Sequence, residues 1–397
     1  MRLRCALVAG WLWLCPLYVA NAQDVPPPEA LNAMVSQITG KPVPTAITFD
    51  RVSGSVNQAC GLHHARMNLT RNDSTVRNFS VLVDHTEGMD APKVFFVTLS
   101  RVAVDADGSG RGYHPEDPLG RGVCERTIGA DGKPGLSGIC ALDQFSSGGA
   151  YVFSGTHKLS KEAFVSNWLS MWPKIRDRQL KPVVLADVVP DMPREFYFFH
   201  WHDRGLTAFF KDNIIPKDRD GYPCRYQAAD GPRNGYFISS TTLEANTRPR
   251  ADGCAPSRYL DAEVVPFVVL PKGGFGKVRI GDVAIVQFKN RVVYAIVGDA
   301  GPATKLGEAS IGLNARLLGK FGEPFLNMKA TWTLDIDSGG HVSILVLGNT
   351  HDKLNGNYSP HNIESVARQE LSRWSGPGDP LARFEACRAM APVNSRK

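Results

Sequence analysis

Apolar residues along this chain are grouped in short runs separated by segments rich in Gly, Pro and Asp. The clearest unit consists of two apolar runs, residues 283–288 and 291–297, which flank the dipeptide Lys289-Asn290. Two such runs with a short polar break predict a β-hairpin. Because neither run alternates with polar residues, we expect this hairpin to be buried on both faces, in a core or a closed barrel.

Several other runs are typical of strands because they are short and rich in β-branched and aromatic residues. They cover residues 79–83, 94–99, 196–199, 236–240 and 264–270. A second hairpin is predicted from residues 331–336 and 341–347, with its turn at Ser338-Gly339-Gly340.

Three segments predict helices. Residues 159–179 have an N-cap residue in Ser160, and Pro173 is expected to kink or end this helix. Residues 308–318 are followed by a glycine, which favours a helix end. Residues 359–376 begin with a Ser-Pro pair suited to the N-cap and first helical positions, and they also end at a glycine.

Strands therefore outnumber helices, and the two do not alternate as a doubly wound parallel sheet would require. We expect a mainly β protein, a compact β-barrel with peripheral helices. Residues 46–376 are expected to form a single unit. A Pro-rich linker over residues 23–45 precedes it, with room for one short helix, and a C-terminal tail over residues 377–397 follows it.

The first 22 residues have the pattern of a secretory signal peptide. Arg2 and Arg4 precede an apolar stretch over residues 5–19, and Ala20-Asn21-Ala22 is a small-x-small cleavage site. The mature chain is then expected to begin near Gln23 and to be secreted or periplasmic. Since no later run reaches the roughly 18 apolar residues of a spanning helix, we expect no membrane association after cleavage.

The composition excludes some classes of protein. Of the 397 residues, 43% are hydrophobic and 21% charged, which is enough apolar material for a large core and excludes disorder over the whole length. The 45 basic and 39 acidic residues give a net charge of only +6, spread along the chain, so we expect no nucleic-acid partner.

Six cysteines remain after the predicted cleavage, an even number that indicates disulfides in an exported chain. Short spacing favours the pairs Cys124–Cys140 and Cys224–Cys254, which leaves Cys60 to pair with Cys387. A zinc site is the alternative, but the sequence has no C-x-x-C pair to support it.

Candidate catalytic groups lie just after the central hairpin. Asp299 lies where an apolar strand ends. Glu308 follows a Gly- and Pro-rich loop and lies at the start of the predicted helix over residues 308–318. Hydrolysis of a glycosidic bond needs two carboxyl groups, one that protonates the leaving oxygen and one that activates water or attacks the sugar. A strand end and a helix start can hold such a pair across a cleft. The alternative interpretation is that Asp299 is an ordinary turn residue and that Glu308 only compensates the dipole at the start of a helix.

Five segments together resemble glycoside hydrolase family 75, the fungal-type chitosanase family, which also has bacterial members. They are residues 104–110 (VDADGSG), 235–243 (GYFISSTTL), 258–271 (RYLDAEVVPFVVLP), 281–283 (GDV) and 298–313 (GDAGPATKLGEASIGL). The segments occur in the order found in that family. The shorter loop between the two acids resembles its bacterial members.

The resemblance covers about residues 97–347 and implies a double-psi β-barrel core. It implies an endo-acting hydrolase of β-1,4-linked glucosamine polymer (chitosan) that inverts the anomeric carbon, with Glu308 as general acid and Asp299 as general base. We also expect a monomer with a polysaccharide substrate and without cofactor or metal. Further substrate-binding candidates are Asp105, Asp107, Tyr236, Tyr259, Asp261 and Lys305.

Other interpretations remain open at this point. Asp105, Asp107, Ser109 and Glu116 match the spacing of a calcium loop, although a strand rather than a helix leads into it. The segments His200-Trp201-His202-Asp203 and His63-His64 are weaker candidates for a metal site. A hydrolase of peptidoglycan or another amino-sugar polymer, and a non-catalytic carbohydrate-binding barrel, are the alternative functions.

Overall fold

The computed structural model describes most of the chain in fourteen segments. They are residues 25–39, 46–51, 58–70, 77–84, 92–118, 126–128, 134–136, 150–192, 194–245, 253–272, 276–302, 305–322, 334–337 and 340–395. The strands are β1 (Ala46–Arg51), β2 (His63–Thr70), β3 (Arg77–Val83), β4 (Val94–Leu99), β5 (Ala103–Asp105), β6 (Arg126–Ile128), β7 (Pro134–Leu136), β8 (Ala150–Ser154), β9 (His157–Lys158), β10 (Pro182–Val184), β11 (Phe196–Trp201), β12 (Leu206–Lys211), β13 (Phe267–Pro271), β14 (Val283–Phe288), β15 (Arg291–Gly301), β16 (Glu308–Ser310), β17 (Val342–Leu347) and β18 (Val393–Asn394). The helices are α1 (Pro28–Thr39), α2 (Lys161–Arg176), α3 (Leu185–Val188), α4 (Ile311–Leu318), α5 (Pro360–Ser375) and α6 (Pro380–Met390). The prediction of a mainly β protein with few helices is confirmed.

The largest sheet has the strand order β1-β2-β3-β4-β17-β14-β15-β13-β16-β5, with β18 added beside β4. The predicted hairpin β14–β15 is confirmed and lies in the middle of this sheet. Its alternate residues enter two different cores: Ala284 and Val286 contribute to one, Val283 and Ile285 to the other. Burial on both faces explains why the two runs contain so few polar residues.

Helices cover both faces of this sheet. On one face α4 contributes Leu313 and Leu317 to the core. On the other face α5 and α6 contribute Ile363, Leu371 and Phe384. The N-cap predicted for α5 is confirmed, since the Ser359 side chain accepts from the backbone N–H of Asn362. Residues 377–395, which the sequence assigns to a tail, therefore form part of the packed structure through α6 and β18.

A second sheet of five strands has the order β10-β11-β12-β8-β9. The predicted apolar stripe of α2 packs on one face, where Phe164, Trp168 and Met171 are fully buried. The N-cap Ser160 is confirmed, and Pro173 lies inside the helix, which continues to Arg176. The other face is covered by α1 and α3. Helix α1 lies within the predicted linker, and its buried residues join this core.

One predicted strand pairing and one predicted strand are wrong. Strand β17 already has β14 on one side and β4 on the other, so it has no free edge for residues 334–337. Ile336 instead bridges to Val102. Residues 331–333, 338 and 339 lie outside the described segments. Residues 236–240 form no strand either: Phe237 makes isolated bridges to Tyr113 and Arg225.

Two of the three expected disulfides are present, Cys224–Cys254 and Cys60–Cys387. The third expected pair, Cys124 and Cys140, lies outside the described residues. Within the part of the chain that the structure describes, no helix is both long and apolar enough to cross a membrane.

Candidate active site

A cleft of about 940 Å³ lies at the ends of strands from both sheets. Its walls come from the loop after β5, the segment after β12, residues 240–244 and the carboxyl end of β15. Both predicted catalytic acids and several of the predicted substrate-binding residues line it. The cleft is therefore the candidate active site.

Asp299 lies near the end of β15 and is only 6% exposed. Its Oδ1 accepts hydrogen bonds from the backbone N–H of Thr242 at 2.9 Å, from the Thr242 hydroxyl and from the backbone N–H of Ala300 at 2.7 Å. Burial raises the pKa of Asp299, and these hydrogen bonds oppose the rise because they stabilise the charged form. Three donors on one oxygen fix the orientation of this carboxyl group.

Glu308 lies on β16 and not in a helix, which corrects the sequence prediction. The helix begins only at Ile311, because the Ser310 side chain caps it by accepting from the Leu313 N–H at 3.1 Å. The backbone of Glu308 is instead paired in the sheet, between β13 and β5. Its Oε1 accepts a hydrogen bond from the ammonium group of Lys305.

Strand β13 sets the spacing of the two acids. Val269 is the register partner of Asp299 on β15 and also of Glu308 on β16. Neighbouring strands lie about 4.8 Å apart, so the two acid-bearing backbones are separated by about 10 Å. All three residues line the cleft. Asp299 and Glu308, which a loop separates in the sequence, thus lie on two strands with only β13 between them.

Two more carboxyl groups stand beside Asp299. The oxygens of Asp105, Asp107 and Asp299 lie within 4.8 Å of one another, which is the one such metal-sized group of Asp, Glu, His or Cys side chains among the described residues. Acidic clusters of this kind are also common in sites without a metal, so the spacing alone does not assign one. The Tyr113 hydroxyl donates to Asp107.

The cluster holds protons strongly. Burial, followed by the charges of Asp107 and Asp299, raises the pKa of Asp105 well above its usual value. Burial and then the charge of Asp299 raise the pKa of Asp107 to about 8, against the lowering effect of the hydrogen bond from Tyr113. The site therefore carries a protonated carboxyl group at neutral pH.

The titration of Asp107 makes stability depend on pH. The folded chain keeps a proton that the unfolded chain releases near the ordinary value of 3.8, so this contribution is complete at acidic pH and is lost as the pH rises toward about 8. We therefore compare the free energy of unfolding of Asp107→Asn with that of the parent at about pH 5 and about pH 8. The difference is expected to shift in favour of the variant by at least about 1.4 kcal/mol between the two pH values, which is the equivalent of one pKa unit. Urea unfolding at both pH values measures this gain.

The exposed Asp203, changed to Asn, is the control and should show no such trend. A gain for Asp107→Asn that is equal at both pH values would show that Asp107 does not titrate in this range.

The calcium-loop interpretation does not fit the structure. The Ser109 hydroxyl donates to Glu263 at 2.9 Å and is not part of the group formed by Asp105, Asp107 and Asp299. The backbone N–H of Glu116 donates to the ring of His114. Neither Ser109 nor Glu116 lines the cleft.

The remaining predicted site residues divide into two groups. Lys305 and Tyr259 line the cleft. Tyr236 does not: it is 2% exposed and packs in the cluster that also holds Tyr259, with its ring roughly perpendicular to that of His114. Asp261 also lies outside the cleft lining and forms an ion pair with Arg233 at 2.8 Å. Tyr236 and Asp261 are therefore not placed to contact a substrate in this cleft.

The histidine segments do not converge on the site. The ring of His200 is hydrogen-bonded to Thr207 at 2.7 Å, and the side chain of His202 is 60% exposed. His63 and His64 lie on β2, away from the cleft residues.

Three cleft contacts were not predicted from the sequence. The Thr242 hydroxyl donates a hydrogen bond to Asp299, and the Tyr113 hydroxyl donates one to Asp107. Lys211 and Lys272 also line the cleft. Thr242 and Tyr113 do fall within or beside segments quoted for the family resemblance, which was the available signal. Lys272 also directly follows a quoted segment, residues 258–271, whereas Lys211 lies in none of them and reaches the cleft at the end of a strand of the second sheet.

Gly108 positions the acidic loop and allows a direct test. Its φ is +83°, and an added Cβ would lie 2.3 Å from the Leu260 carbonyl oxygen. We expect Gly108→Ala to lose about 1–3 kcal/mol more stability than Gly155→Ala, since Gly155 has a φ of +55° but open space around it. Chemical denaturation of both variants measures the difference. Equal losses would show that backbone strain alone, and not the close contact, decides the effect.

Neither a scan against protein-family models nor a search of curated proteins finds a match to this chain. The functional conclusion therefore depends on the geometry of the cleft and on the resemblance described above.

Proposed function

We propose that this chain is a glycoside hydrolase that cleaves β-1,4-linked glucosamine polymers, with chitosan as the first substrate to test, by an inverting mechanism. The observation that carries the proposal is the register of β13, which brings Asp299 and Glu308 into one cleft on either side of Val269. Inverting glycosidases need their carboxyl groups roughly 6.5–9.5 Å apart to leave room for a water molecule. Two acids on strands about 10 Å apart can meet this requirement.

In the proposed reaction Asp299 is the general base and Glu308 the general acid. Asp299 takes a proton from water while the water oxygen forms a bond to the anomeric carbon. The glycosidic bond breaks at the same time, and Glu308 gives its proton to the leaving oxygen. The donors on Asp299 keep its carboxyl group oriented throughout. Lys305, which contacts Glu308, can compensate the negative charge that remains on the acid.

The neighbouring Asp105 and Asp107 favour an amino sugar over a neutral one. A protonated 2-amino group can donate hydrogen bonds to the oxygens of Asp105 and Asp107, and it is attracted to the negative charge of Asp299 beside them. The cleft, at about 940 Å³, is also large enough for several sugar units. These features support an endo-acting enzyme on a glucosamine-based polymer.

Two further parts of the proposal concern fold and location. The resemblance implies a double-psi β-barrel, and the part of the sheet from β4 to β5, with its parallel pairs β13–β15 and β16–β5, supplies strands for such a core. The two disulfides fit an oxidising compartment, and together with the signal-like leader they support a secreted or periplasmic protein.

The function is tested by incubating the purified protein with chitosan, chitin and peptidoglycan, and by sizing the products. We expect short oligomers from chitosan early in the reaction and, by NMR, the α-anomer as the first product of a β-linked substrate. Failure to cleave any of the three polymers would refute the proposal. A β-anomer as first product would refute inversion while leaving the hydrolase assignment in place.

A further inference from the structure

Most charged side chains that line the cleft form ion pairs with one another. Lys217 pairs with Asp212 at 2.5 Å, and Arg258 pairs with Glu244 at 2.6 Å. Lys305 pairs with Glu308. These pairs neutralise much of the cleft wall.

Two lysines of the lining are left over. Among the described residues, no carboxylate oxygen lies within ion-pair distance of the ammonium groups of Lys211 and Lys272. Both residues line the same cleft as Asp299. Lys211 ends β12 and is half-buried, with its ammonium group 5.1 Å from the centre of the Phe196 ring. Lys272 follows β13, and its backbone N–H donates to the Gly301 oxygen at 3.1 Å, which places it beside the loop after Asp299.

The two positive charges also act on each other. Burial, opposed by the charge of Glu195, lowers the pKa of Lys211, and the charge of Lys272 lowers it further. Two positive charges that line one cleft without a paired carboxylate repel each other in the free protein. A negatively charged group bound at both ammonium ions would offset this repulsion and would be held by charge-assisted hydrogen bonds.

We propose that Lys211 and Lys272 form an anion subsite in the cleft, which makes the enzyme selective for amino-sugar polymers that carry carboxylate groups. This inference rests on the proposed hydrolase function and narrows its substrate class. The acidic cluster then takes the reacting amino sugar, and the lysine pair takes a carboxylate attached to the same polymer. An unsubstituted chitosan chain, which is a polycation, lacks the group that this subsite binds.

The test compares two oligosaccharides of equal length, one of unmodified chitosan and one carboxymethylated on its hydroxyl groups. The double variant Lys211→Gln with Lys272→Gln keeps side chains of similar length and removes both charges. We expect the ratio of kcat/KM for the carboxymethylated oligomer to that for the unmodified one to fall about ten- to a hundredfold in this variant. Lys174→Gln, on an exposed lysine of α2 outside the cleft, is the matched control and should leave the ratio unchanged.

A binding measurement separates this inference from the proposed function. Calorimetry gives the dissociation constants of both oligomers for the parent and the double variant, whether or not either oligomer is cleaved. Preferential binding of the carboxymethylated oligomer that is lost in the double variant supports the subsite even if no polymer is hydrolysed. Equal effects on both oligomers, no effect, or no binding of the carboxymethylated oligomer would overturn it. A thermal melt of the double variant checks that it is folded.

Discussion

Replacing either acid of the cleft, by Asp299→Asn or Glu308→Gln, is expected to lower the rate of chitosan-oligomer hydrolysis by about 10²–10⁴, the usual contribution of general acid–base catalysis. Both residues line the same cleft at register positions opposite Val269, so both can act on the same bond. The double variant is expected to be little slower than the slower single variant, because residues that act as one unit are not additive.

Two exposed acids serve as matched controls for this prediction. Asp203→Asn removes a carboxyl group that is 90% exposed, and Glu364→Gln removes one that is paired with a surface arginine, as Glu308 is paired with Lys305. Neither control should change the rate, and all variants should keep their melting temperature within a few degrees. A folded Glu308→Gln protein with near-normal activity would exclude Glu308 from catalysis.

Removing the disulfide that joins the two ends of the fold is expected to destabilise the protein by about 2–5 kcal/mol. Cys60 and Cys387 are 327 residues apart and fully buried, so their bond closes most of the chain into one loop. The variant Cys60→Ala with Cys387→Ala removes the bond without placing a polar group in the core. Urea unfolding of oxidised protein measures the loss.

The second disulfide provides the comparison. Cys224 and Cys254 are only 30 residues apart, so the entropy of loop closure predicts a loss smaller by about 2 kcal/mol when this pair is changed to alanine. Equal losses for the two pairs would show that contacts in the folded state, and not loop length, dominate the stabilisation.

The sequence predicts correctly those elements whose stability depends on residues close together in the chain. The hairpin β14–β15 and the caps at Ser160 and Ser359 depend on residues close in sequence, and all three are confirmed. Glu308 was placed in a helix because its neighbours suit one. Its actual strand conformation depends on β13 and β5, which lie far away in the sequence.

The candidate site follows the same division. Asp299 and Glu308 could be chosen from one short segment and from the family resemblance, and the structure brings them into one cleft. The sequence makes Tyr236 a substrate-binding candidate, yet it is buried in the same aromatic cluster as Tyr259 and does not line the cleft. The lysine pair could not be predicted, since Lys211 ends a strand of one sheet and Lys272 follows a strand of the other, and only the folded structure brings both to one cleft.

The position of β4 in the large sheet has a consequence for the order of folding. Its two long-range partners, β17 and β18, follow it only after most of the chain. Pairing over such separations is slow, because a long loop must close before the contact forms. Strand β4 is therefore expected to join the sheet after the local hairpin β14–β15 has formed, as a late step in folding.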